Sequence, residues 1–179
     1  GKVEWGGVLK IKAPDGSYRS MGIRRVETLA GLGLLRLFMA WEEFVEETFT
    51  RYMCGAKSLS GFSPTLLKGK QANIQTAMRL LLGTQNYTNW TPTTIIREAT
   101  QYFKNGEPFS SAVGAAVQTL NDISSVRNSL AHQSEHARTF FRRLVRRELG
   151  YNPRGMTPGR FLLAVRPATS VPGETFVDF

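Results

Sequence analysis

The sequence predicts a mainly α domain with a small N-terminal β-hairpin, and three observations predict it. Residues 24–54 carry an apolar stripe of Leu34, Phe38, Trp41, Val45, Phe49 and Tyr52 at three- and four-residue spacing, the period of an α-helix. Helix start and stop signals recur after it, as Thr91-Pro92, Asn105-Gly106 and Gly150 with Pro153. Strand-like patterning is confined to the first twenty-two residues.

In that opening segment Val8-Leu9-Lys10-Ile11-Lys12 partly alternates, and Ala13-Pro14-Asp15-Gly16-Ser17 reads as a turn, because Pro presets φ and Gly accepts positive φ. A hairpin over residues 3–20 is expected. The helix over residues 24–54 is apolar nearly all round between Leu29 and Trp41. Such a helix is buried on two sides, as a central helix or a dimer seam. Glu42, Glu43, Glu46 and Glu47 follow on its C-terminal half.

Residues 55–70 mix Gly, Ser, Pro and Lys without period and read as a loop. A short helix over 71–83 stops at Gly83. Thr91 caps the next, with Pro92 at its first position, and Asn105-Gly106 closes it. One long helix over 111–133 and another ending at Leu149 complete the series. The tail is punctuated by Pro and Gly, with one apolar patch at 161–165. The expected division is a hairpin extension over 1–22, a helical domain over 23–150, and a Pro/Gly-rich extension over 151–179 that packs on the same domain.

With 179 residues and 41% hydrophobic content, the chain supports one substantial core. No apolar run approaches the ~18–20 residues of a membrane span, and the opening Gly-Lys-Val-Glu-Trp lacks the apolar centre of a signal peptide. The opening Gly in place of Met suggests a trimmed or tagged chain. Cys54 is the one cysteine, which excludes an internal disulfide and a cysteine-built zinc site. A cytoplasmic location without membrane partners is expected.

Charge says more. The 23 Lys and Arg outweigh 14 acids for a net +9, and 16 of the 23 are Arg. Arginine grips phosphate through a planar fork of donors. Arg138, Arg142 and Arg146 repeat every four residues beside Arg143 and Arg147, opposite Ala137, Phe141 and Leu144, with only Glu148 offsetting them in that half of the helix. That face is expected to bind an RNA backbone.

On the 111–133 helix, Val113, Ala116, Val117, Leu120, Ile123 and Ala131 share a face, and Arg127 falls near the middle of it. An arginine there needs an acid, a carbonyl array or a phosphate. Taken alone, a buried ion pair with a glutamate of the first helix would satisfy it. Asn128 and His132 are four apart and share the flank of that face.

Together, Arg127-Asn128-Ser129-Leu130-Ala131-His132 resembles the RxxxxH signature of HEPN ribonucleases, including the polar residue directly after Arg that many members carry. Ala40-Trp41-Glu42-Glu43-Phe44-Val45-Glu46 is similar to the aromatic-and-acid helix of the RiboL-PSP-type HEPN group. The resemblance spans residues 24–150 and leaves the hairpin and tail unexplained. It implies a HEPN-like bundle of four to five helices, paired as a homodimer so that two RxxxxH motifs line one cleft. It also implies RNA cleavage through the RNA's own 2′-OH, without metal or other cofactor, leaving a 2′,3′-cyclic phosphate. Arg127 would then hold the scissile phosphate, His132 would move the proton, Asn128 would orient His132 or a phosphate oxygen, and Glu42 would position Arg127. A toxin or defence effector, with an antitoxin or regulatory partner, fits that chemistry.

Two rivals stand beside it. A catalytically silent HEPN module that dimerises or binds nucleotides would share the fold but has no need of both Arg127 and His132. His132-Gln133-Ser134-Glu135-His136 also matches the HxxEH of inverted-motif zinc peptidases. A third ligand would have to come from Glu148, Glu174 or Asp178, and His136 and Glu135 read more naturally as exposed turn residues.

Overall fold

A computed structural model describes residues 10–85, 87–132, 134–167 and 174–176. Among them two short strands precede seven α-helices: β1 (Lys10–Lys12), β2 (Tyr18–Ser20), α1 (Ile23–Met53), α2 (Ile74–Leu82), α3 (Pro92–Tyr102), α4 (Phe109–Ala115), α5 (Val117–Ala131), α6 (Glu135–Leu149) and α7 (Pro158–Leu163). The protein is mainly helical. None of the described helices is long and apolar enough to cross a membrane.

β1 and β2 pair antiparallel, with Lys10 opposite Ser20 and Lys12 opposite Tyr18. The turn between them follows from Asp15-Gly16-Ser17. Asp15 Oδ1 accepts the Ser17 amide at 2.9 Å and its hydroxyl at 2.6 Å, while Gly16 takes φ 82°, which a side chain would resist. Residues 3–9 of the expected hairpin lie outside the described residues.

Contacts divide the chain into two units, Gly1–Phe38 with Ser124–Phe179, and Met39–Ile123. They cut across the 1–22, 23–150 and 151–179 division, because α1 gives its first half to one core and its second half to the other.

The core of the first unit is Val126 of α5, Phe141, Leu144 and Val145 of α6, and Phe161 and Leu162 of α7, with Ala30, Leu34 and Leu130 packed against it. The apolar patch at 161–165 is therefore largely a helix. Thr157 caps α7 by accepting from the Arg160 amide. Arg160 Nε meets Glu27 Oε1 at 2.6 Å, with both side chains mostly covered. Gly159 lies against α1 so closely that a Cβ would stand 2.2 Å from the Glu27 carbonyl oxygen. Only glycine fits there.

The second unit is built on Phe49, which is fully buried among the rings of Trp90, Tyr102, Phe103 and Phe109 at 4.8–6.1 Å. Trp90 keeps its indole N–H satisfied by donating to Glu46 at 3.1 Å. Helix α2 begins later than its apolar pattern suggests, because Asn73 caps it by accepting from the Thr76 amide at 2.9 Å. Thr91 caps α3 as expected, with Pro92 in the first turn. The helix does not run on to Asn105. Phe103 turns extended and bridges to Leu66, and Lys104–Gly106 forms a separate 3-10 turn.

The single helix expected over 111–133 is two. At Ala116 the backbone shifts to φ −112°, ψ 11°, and its N–H bonds back to Val113. This break resets the helical phase. Val113 is buried in the second unit, whereas Val117 is 38% exposed and Val126 is the buried residue of α5. The face drawn through Val113, Val117, Arg127 and Ala131 is thus not one continuous buried stripe.

Candidate functional site

Arg127 and Asn128 sit in the last turns of α5, and the helical hydrogen bonding reaches one residue past its end, with the His132 amide donating to the Asn128 carbonyl at 2.9 Å. The His132 side chain is exposed, while Arg127 and Asn128 are half-buried. The RxxxxH motif thus runs from a partly covered arginine to a solvent-facing histidine at the helix terminus.

The Arg127 guanidinium lies over the ring of Phe38, 5.0 Å from its centroid, and Phe38 is itself 7% exposed on the first half of α1. A flat delocalised cation on an aromatic face is attractive by roughly 0.5–2 kcal/mol. Arg127 Nη1 also donates to Asn128 Oδ1 at 2.9 Å. Two of the contacts that settle this arginine are therefore a ring and a neighbouring carboxamide, neither of which was among the acid, carbonyl array and phosphate expected. Asn128 has its side chain on Arg127 and only its backbone carbonyl on His132. Glu42, the candidate acid, is half-buried on the part of α1 that belongs to the second unit.

Helix α6 starts where Ser134 accepts from the Ala137 amide at 3.2 Å, and it stops at Gly150. Ala137, Phe141, Leu144 and Val145 are buried, which turns Arg138, Arg142, Arg143, Arg146 and Arg147 outward, all exposed. The acids on this helix engage them. Glu135 stands 3.4 Å from Arg142 and 3.9 Å from Arg138, and Glu148 pairs with Arg147 at 2.7 Å. Glu135, in the first turn of α6, is thus a second acid that offsets this face beside Glu148. Exposed pairs of this kind contribute only about 0–1 kcal/mol. Arg143 lies over the Phe140 ring at 5.5 Å.

The zinc-peptidase motif loses its geometry at the same place. It requires both histidines on one helix, but α5 ends at Ala131 and α6 begins at Glu135, so a chain break in helicity separates His132 from His136. The His136 ring instead packs against Phe140, with centroids 4.7 Å apart. Among the described residues no group of three His, Cys, Asp or Glu is placed to hold a metal ion.

The two units share the charge very unequally. Gly1–Phe38 with Ser124–Phe179 holds 16 of the 23 bases and 7 of the 14 acids, and Met39–Ile123 holds the other 7 of each. The entire +9 thus resides in the unit that carries Arg127, His132 and the arginine face of α6. The chain matches no family model, and no curated protein or solved structure is similar to it.

Proposed function

We propose that this protein is a metal-independent RNA endonuclease with a HEPN-like helical bundle, acting as a toxin or defence effector. The observation that carries the reading is the Arg127–His132 motif at the C-terminal end of α5, within the unit that bears all of the net positive charge. Phe38 and Asn128 hold the guanidinium in a defined place before substrate arrives, which is the preorganisation that phosphate stabilisation requires. Arg127 binds a non-bridging oxygen of the scissile phosphate. The substrate's 2′-OH attacks phosphorus and loses its proton, the 5′-oxygen departs with a proton, and the products are a 2′,3′-cyclic phosphate and a 5′-OH. His132, exposed at the helix end, supplies or removes one of those protons.

The test is incubation of the purified protein with RNA in excess EDTA, with products assayed for terminal cyclic phosphate. Cyclic-phosphate ends in chelator support the reading, and RNA that remains intact at every protein concentration sinks it. Binding without cutting would identify the silent module instead.

A homodimer is part of the same reading. Leu32, Leu37, Met39 and Phe44 of α1 are 56–67% exposed, a large apolar outlay for one helix, and isologous pairing would cover it. Light scattering is expected to give about twice the chain's 20.0 kDa; a monomer at high concentration would refute this.

The arginine face of α6 is expected to contact phosphates without reading sequence. Arg142→Glu with Arg146→Glu should weaken binding to unrelated RNAs equally. The slope of log affinity against log salt should flatten by about 1.4, at ~0.7 per lost single-strand phosphate contact. An unchanged slope would leave the face merely solvated.

A further inference from the structure

The two-stranded ribbon at the start of the described chain takes no part in the site above, yet its register gives it an unusual surface. Residues directly opposite in an antiparallel pair share a face, and so do residues two apart along a strand. Lys12 is opposite Tyr18 and Lys10 is opposite Ser20, so Lys10, Lys12, Tyr18 and Ser20 line one face, with Arg19 on the other. Both lysines are exposed, and Tyr18 is 69% exposed, among the most open aromatic rings described. The ribbon's one described acid does not offset this face. Asp15 is drawn into the turn by Ser17 and by Arg19, whose Nη2 reaches it at 2.9 Å. Those hydrogen bonds also hold its carboxyl below the ordinary carboxylate range, so it remains a charged anchor of the turn.

An exposed tyrosine with one lysine directly opposite it and a second diagonal to it on the same ribbon face has the composition of a single-strand platform. The ring offers a π-face to a base, and the ammonium groups on the neighbouring strand meet the phosphates that run beside it. A protein partner's acidic segment would use the lysines but would leave the ring without a stacking role.

We propose that the β1–β2 ribbon is a second RNA-contact surface, on which Tyr18 stacks against an unpaired base while Lys10 and Lys12 bind the flanking phosphates. The proposal rests on the ribonuclease reading only for the identity of the polymer. Its role is to hold single-stranded substrate on the unit that also carries the RxxxxH motif.

The experiment uses fluorescence anisotropy with a labelled 2′-O-methyl RNA oligonucleotide, which has no attacking hydroxyl and cannot be cut by the proposed route. A second probe is the same backbone without bases. Tyr18→Ala should weaken binding to the based oligonucleotide roughly tenfold, Tyr18→Phe should restore it, and both variants should bind the abasic backbone like the parent protein. Lys10→Ala with Lys12→Ala should weaken both probes and flatten the salt slope by about 1.4. The proposal is overturned if Tyr18→Ala stays within twofold of the parent, if Tyr18→Phe fails to rescue, if abasic and based probes lose equally, or if the parent binds neither probe. Failure of cleavage in the EDTA assay with these binding results intact would remove the nuclease mechanism and leave the ribbon standing. Cleavage with a silent Tyr18 would do the reverse.

Discussion

Replacing His132 with Ala is expected to lower the rate of RNA cleavage by a hundredfold or more while changing RNA affinity by less than a few-fold. Removing one group that acts on the transition state characteristically costs on that order. His132 is the cleaner of the two motif positions because its side chain is exposed at the end of α5 and its truncation leaves no buried cavity. Arg127→Ala should cost at least as much in rate, but it also uncovers the Phe38 ring and leaves Asn128 Oδ1 without the Nη1 donor. Its thermal stability must therefore be measured beside its activity. Arg127→Lys separates the two roles: it keeps the charge and much of the apolar stem yet lacks the planar fork, so stability should largely return and cleavage should not. His132→Ala cutting at the parent rate would exclude this histidine from proton transfer and end the mechanism proposed here.

The arrangement around Arg127 marks the limit of what spacing along the chain could reveal. That an arginine near the end of α5 would need partners was expected from an apolar stripe that the break at Ala116 interrupts, yet Arg127 is half-buried and partnered all the same. The identity of Phe38 was not legible, because the two residues are 89 apart and their meeting depends on how the first half of α1 packs in the first unit. The Trp90–Glu46 hydrogen bond, 44 residues apart, was hidden for the same reason. Local chemistry was readable where a single side chain decides it. Thr91 with Pro92 starts α3, and Gly83 and Gly150 end α2 and α6, because caps act within one turn. The break at Ala116 was not readable. Gly114-Ala115-Ala116-Val117 contains no proline, and its composition permits a continuous helix. Helix α7 was missed because six residues are too few to display a period.

The uneven charge also changes how the arginine face should be understood. A net +9 spread evenly over the surface would serve solubility as well as binding. The net charge instead falls wholly in one unit, which has its own core around Phe141 and Phe161, while the second unit, with its aromatic core, is neutral overall. The β1–β2 ribbon, the RxxxxH motif and α6 all belong to the charged unit. Charge variants there should therefore alter binding and its salt dependence, and core variants in the second unit should alter stability.

Phe49→Ala is the sharpest test of that second statement. Phe49 is fully buried, and four aromatic rings surround it with centroids no more than 6.1 Å away. Truncation to Ala removes the ring's transfer energy and leaves a cavity that rigid neighbouring rings cannot readily collapse into, for a cost of about 3–5 kcal/mol. Urea denaturation at fixed protein concentration should show the midpoint falling sharply with little change in slope. Phe44 lies five residues earlier on α1 and is 64% exposed, so it provides the control on the same helix. Phe44→Ala should change the stability of the monomer by no more than about 0.5 kcal/mol. If the α1 apolar surface pairs two copies, that variant should instead raise the protein concentration needed for dimerisation. A Phe49→Ala loss below 1 kcal/mol would mean that the ring cluster does not anchor the second unit. Equal losses at positions 44 and 49 would mean that both faces of α1 are covered within a single copy, which would remove the basis for the homodimer.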